Sequence, residues 1–178
     1  MTRTKATTVY KLTDQNMQTH RGFQWAIGQT ETTSGEGDLC GPGWLYAYTS
    51  PLLAVLLNPI HAHITNPRLF KCRGVIGKTD RGLKVGCTSL TVVREIPVPK
   101  ISREQCIAFG ILCTKRVSNK TISNVWANRW LSGEDHMKRA TKAAKPAEAA
   151  WGAWMARMAA DMSPLNLIAI AEQAMKVK

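Results

Sequence analysis

The sequence predicts an α+β protein: a small, mostly antiparallel sheet with one helix in residues 1–100, then a helical region in residues 101–178. Two observations carry this expectation. Short alternating, β-branched stretches separated by turn residues occupy the first part. From Ser102 onward the apolar period changes to that of a helix.

The elements follow in chain order. Thr7-Thr8-Val9-Tyr10-Lys11-Leu12 alternates and reads as a strand, and Arg21 through Gly28 as a second short extended piece. Residues 29–43 hold Gly35, Gly37, Gly41 and Gly43 around Pro42, which predicts a mobile loop. A strand is expected over 44–48. Ser50 and Pro51 then supply the cap and first turn of a helix that Asn58-Pro59 should stop. Residues 68–76 and 83–93 read as two longer strands, with Lys78-Thr79-Asp80-Arg81-Gly82 as the turn of an antiparallel hairpin. Pro97 and Pro99 close the sheet region.

In the helical part, Ser102-Arg103-Glu104-Gln105 matches a capping box, followed by Ile107, Ile111 and Leu112 at helical spacing. Residues 121–131 predict a second helix stopped at Gly133. Residues 134–160 are rich in Ala, Lys and Arg, with Pro146 breaking or kinking the helix there. Ser163-Pro164 reads as the start of the last helix.

The chain carries 24 Lys and Arg against 12 Asp and Glu, a net charge of +12. Residues 1–100 and 101–178 share that excess equally, so the charge is no basic tail on a neutral domain. A surface of this kind favours polyanions: nucleic acid, a nucleoprotein, or an acidic protein face. Five cysteines, an odd number without a Cys-x-x-Cys pair, predict reduced thiols used chiefly as core residues. The apolar run of 52–57 is closed by Pro51 and Pro59, too short for a membrane span. Met1-Thr2-Arg3-Thr4-Lys5 leads into polar residues, and the expectation is a cytoplasmic protein.

Trp126, Trp130, Trp151 and Trp154 are interleaved with Arg129, Lys138, Arg139, Lys142, Lys145 and Arg157. Rings can stack on bases while cations track phosphates, but i, i+4 spacing is also what a packing face looks like. The cations are a candidate partner surface on either reading. Arg73, Lys78, Arg81 and Lys84 on the hairpin are a second candidate surface. His61-Ala62-His63 would share a face on a strand, but no third ligand accompanies the pair, so neither metal nor cofactor is expected. Hydrolase, phosphate-loop and zinc-protease motifs are absent, and the acids do not cluster for two-metal chemistry.

Two resemblances add to this. Arg21-Gly22, Tyr48-Thr49-Ser50 before a helix, and Glu95 ending a strand resemble the Arg…Ser-Thr-Ser…Glu layout of ADP-ribosyltransferases. That likeness implies a dinucleotide held by Arg21, a pocket supported by Thr49 and Ser50, and a ribose polarised by Glu95. The chain departs from the layout at Tyr48 and at Arg94, keeping one carboxylate where the family has two. More extensively, Arg21 through Trp25 with Ile27-Gly28, and Trp126 through Asp135 leading into an Ala/Trp-rich helix, are similar to an uncharacterised family of small bacteriophage and prophage proteins. This second resemblance brings no catalytic residues. It implies an accessory protein in the cytoplasm of an infected host cell, acting by binding a host defence nucleoprotein, its RNA or DNA, or an acidic protein. An ADP-ribosyltransferase-like enzyme is the alternative expectation.

Overall fold

The computed structural model describes residues 5–117, 121–134 and 165–177. The chain divides into two compact units, Met1–Pro99 and Lys100–Lys178. The architecture is α+β, as the two sequence periods predict.

The first unit is a sheet. Strand β1 (Thr7–Thr13) pairs antiparallel with β6 (Arg68–Thr79), which forms a long hairpin with β7 (Val85–Ile96). On the other side of β7, β4 (Thr30–Thr32) pairs with Ser89–Thr91 and β5 (Leu45–Ala47) pairs with Val85–Cys87. Tyr48, directly after β5, bridges Tyr10 of β1 through two backbone hydrogen bonds of 2.7 and 2.8 Å. The sheet therefore returns on itself. A separate two-residue pair joins β2 (Gln18–Thr19) to β3 (Phe23–Gln24).

The inward face follows the alternation read from the sequence: Val9, Phe70, Cys72, Cys87, Leu90 and Val92 pack together with Trp25. Helix α1 (Pro51–His61) packs against β1 and buries Leu53, Ala54, Leu56 and Leu57. The hairpin turns at Asp80–Lys84, where Leu83 N–H donates to Asp80 O at 2.7 Å and Arg81 and Gly82 take positive φ.

Four details differ from the sequence reading. Residues 29–43 are not a structureless loop: Thr30–Thr32 is β4, and the remainder is held by Trp44. The indole lies where Gly77 and Gly86 leave space, since an added Cβ at either would come within 2.6–3.1 Å of its ring or of Leu39. Its Nε1–H donates to Gly37 O at 3.1 Å, and Gly35 N–H to Gly43 O at 3.0 Å. Second, the piece from Arg21 to Gly28 contains only the two residues of β3, because His20–Gly22 forms a 3-10 turn with Arg21 at φ +59°. Third, α1 continues through Pro59 to His61. Asn58 closes it later by bonding the backbone N–H and C=O of Ile64. Ser50 occupies the N-cap position without a side-chain cap bond; Pro51 at the first turn has no N–H and leaves one less donor to satisfy. Fourth, His61 ends that helix and His63 lies beyond it at φ +51°, so the two imidazoles do not share a strand face.

The second unit opens on α2 (Arg103–Val117). Its capping box is formed as predicted: Gln105 N–H donates to Ser102 Oγ at 3.1 Å, and Ser102 N–H to Gln105 Oε1 at 2.9 Å. Ile107, Ala108, Phe109, Ile111, Leu112 and Cys113 are buried. Helix α3 (Thr121–Leu131) ends at Gly133, whose φ of +84° suits a residue without a Cβ. Helix α4 (Leu167–Ala174) has Asn166 at its N-cap, where Asn166 Oδ1 accepts from Ala169 N–H at 3.1 Å, and Ser163-Pro164 lie outside the described residues. Both α3 and α4 pack on α2. Gln105 Nε2 also donates to Met175 O at 3.0 Å, tying the start of α2 to the end of α4. The predicted break at Pro146 lies outside the described residues.

Candidate polyanion-binding surface

The hairpin cations expected to face a partner take three different positions. Lys78 Nζ donates to Gly37 O at 3.2 Å and lies 3.7 Å from an Asp38 carboxylate oxygen. Lys84 Nζ lies 3.0 Å from Cys40 Sγ and 5.0 Å from the centre of the Tyr46 ring. These two lysines therefore fasten residues 37–46 of their own chain, and Arg81 sits at the hairpin turn. Arg73 alone of the four is exposed on the outward face of the sheet, whose other end, at the paired Leu12 and Leu69, is buried.

Strand register supplies Arg73 with neighbours that periodicity did not reveal. Lys71, two residues earlier on β6, shares its face and pairs directly with Arg94 of β7. Arg94 reaches that face through a bulge: Val92 opposes Cys72 and Arg94 opposes Lys71, leaving Val93 as the extra residue. The same shift turns Glu95 to the opposite face, where both carboxylate oxygens meet Arg68, at 3.0 and 2.6 Å. Those hydrogen bonds hold the Glu95 carboxyl below its ordinary range. Two like charges directly opposite on neighbouring strands are unfavourable. Lys71, Arg73 and Arg94 have no ion pair among the described residues.

In the second unit, Arg129 is exposed on α3. Lys138, Arg139, Lys142, Lys145 and Arg157, with Trp151 and Trp154, lie outside the described residues. The tryptophans on α3 divide: Trp130 is fully buried, as packing requires, whereas Trp126 is 44% exposed. Their i, i+4 spacing thus does not make one packing face.

The residues of the transferase-like layout are spread over separate elements. Arg21 lies in the 3-10 turn, Thr49 and Ser50 join β5 to α1, and Glu95 lies near the end of β7. Among the described residues no hydrogen bond or ion pair links them, and the Glu95 carboxylate is engaged by Arg68. His61 Nδ1 lies 3.3 Å from Tyr48 Oη, and the rings stack at 5.9 Å. Burial, with the charge of Lys84, pulls the His61 pKa down to about 4, while burial raises that of the Tyr48 phenol. Both are therefore neutral at physiological pH. No cluster of three or more metal-ligating side chains occurs among the described residues. Nor is any helix among them long and apolar enough to cross a membrane.

The cysteines follow their environments. Cys72, Cys87 and Cys113 are buried, with burial pushing their thiols up to about 11, 11 and 12; Cys40 is exposed.

Together these features define a small α+β protein with a basic outward sheet face. Residues 7–104, more than half of the chain, match the family described as Domain of unknown function (DUF7666), and the chain belongs to that family. No curated protein and no solved structure matches it.

Proposed function

We propose that this protein acts by binding, as a phage accessory protein directed at a host defence nucleoprotein complex or its nucleic acid. The observation that carries this reading is the surplus of cations without internal partners. The net charge is +12, and exposed Arg21, Arg73, Arg94, Arg116 and Arg129 make no ion pair among the described residues. Unpaired cations in such number raise self-repulsion, which an anionic partner relieves. The phage setting rests on the likeness of residues 21–28 and 126–135 to small phage and prophage proteins.

The test is affinity purification of the tagged full chain from host cells, with and without nuclease, at two salt concentrations. Recovery of a nucleoprotein or nucleic acid, with retention falling steeply from about 50 to about 200 mM salt, is the expected result. Recovery of no anionic partner, or retention indifferent to salt, overturns the reading.

A further inference from the structure

The outward face of the sheet carries more than a charge. Strand register arranges it in two rungs. In the first, Tyr10 of β1, Lys71 of β6 and Arg94 of β7 lie side by side; in the second, Thr8, Arg73 and Thr91 do. Tyr10 is partly buried and Lys71 is its direct partner, so the ring sits at the margin of the cations. Along β6, Lys71 and Arg73 are two residues apart, about 6.6 Å on an extended chain. The neighbouring positions are short hydroxyl side chains: Thr91 Oγ1 lies 2.7 Å from Thr30 Oγ1 of β4. At these two rungs the exposed cations are Arg73 and Arg94, with the part-exposed Lys71 and Tyr10 beside them.

We infer that the face formed by Tyr10, Lys71, Arg73 and Arg94 binds single-stranded nucleic acid, its cations following the phosphates and Tyr10 stacking on a base. This rests on the binding function proposed above and names the partner's chemistry. Three features select a single strand. A part-exposed aromatic ring at a sheet surface can stack only on a base free of its complement. The paired, unneutralised Lys71 and Arg94 need anionic charge close to the sheet, which a flexible backbone can bring to both. Threonine hydroxyls on the second rung offer hydrogen bonds without obstructing a strand laid across it. An acidic protein surface would satisfy the cations but leave the ring without a role.

The experiment is fluorescence anisotropy of the full-length chain with a labelled mixed-sequence oligonucleotide of about 12 nucleotides, within the range one such surface covers. The same sequence as a duplex and a poly-glutamate peptide serve as the other probes. R73Q/R94Q should weaken single-strand binding at least tenfold and flatten the log–log salt slope by about 1.4, near 0.7 for each lost contact. Tyr10→Leu should weaken it several-fold with the slope unchanged, because stacking releases no counterions. Thermal melts confirm that the variants are folded; R73Q/R94Q changes only exposed side chains and decides the question alone if Tyr10→Leu does not fold. Wild-type affinity in R73Q/R94Q, with wild type still binding one of the polyanions, overturns the sheet-face assignment and leaves the broader binding function standing. Preference for duplex or peptide over the single strand also overturns it. Binding to none of the three probes, together with no anionic partner in the purification, overturns both.

Discussion

Lys11 is the least expected residue of the sheet unit, and replacing it gives a quantitative test of the fold. The residue is 7% exposed on the inward face, where Nζ donates to Tyr46 O at 2.8 Å and lies 4.4 Å from the centre of the Trp25 ring. No carboxylate pairs with it among the described residues. Burial lowers its pKa from 10.5 to about 8. The unfolded chain therefore holds the proton more tightly, and the folded state bears a penalty that is constant below the folded pKa. As pH rises from about 8 towards 10.5 the penalty is relieved, so this group makes stability increase with pH in that window. At 1.36 kcal/mol per pKa unit the full penalty is about 3 kcal/mol. Integrated over titration, about 2 kcal/mol of it disappears between about pH 7 and pH 9.5.

Lys11→Met keeps the length of the stem and removes the charge. Urea denaturation of both proteins across that pH range isolates the effect, because every other titrating group is common to the two. The difference in unfolding free energy between Lys11→Met and wild type should shift by about 2 kcal/mol in favour of wild type as pH rises. A difference that stays constant within about 0.5 kcal/mol would show that Lys11 is not a desolvated cation, and the placement of its amine beside Trp25 would be refuted.

Other outcomes follow from the same geometry. Trp130→Ala should destabilise by roughly 3–5 kcal/mol in denaturant melts, while Trp126→Ala, on the exposed side of α3, should change stability by less than about 0.5 kcal/mol. Gly77→Val places new atoms against the Trp44 ring, and an expected loss of about 1–3 kcal/mol should come with faster proteolysis at residues 33–43. Acidification from about pH 6.5 to 4 should cost stability through His61, whose folded pKa lies below its unfolded one; in His61→Phe the acid limb should be flatter. In native thiol titration Cys40 should react first, and Cys72, Cys87 and Cys113 only on unfolding.

The hairpin, the capping box and the Gly133 stop were legible because each depends on residues close in sequence: alternation, a three-residue spacing, one glycine. What stayed hidden depends on partners far away. Trp44 holds the 33–43 segment because Gly77 and Gly86 leave room for an indole, and glycine content alone resembles a loop. Arg94 reaches the outward face because Val93 bulges, and a bulge has no mark in a period-two pattern. Lys11 alternates with Val9 and so was always due to point inward, but its acceptor, the Tyr46 carbonyl, is 35 residues away. Lys78 and Lys84 read as partner contacts by charge; only tertiary structure shows them bonded to residues 37 and 40.

The backbone bridge between Tyr10 and Tyr48 bears on how such a chain stays dispersed. Mutual repulsion keeps copies of a +12 protein apart only while the charge is unneutralised. With a polyanion bound as proposed, repulsion would no longer prevent one copy from adding its backbone to another's. By joining the segment after β5 to β1, the bridge occupies donors and acceptors that would otherwise form a template for strand addition. The rim at β4 is three residues long and offers little to extend. Protection against self-assembly is thus carried by hydrogen bonding inside the fold, where neutralisation by a ligand cannot reach it.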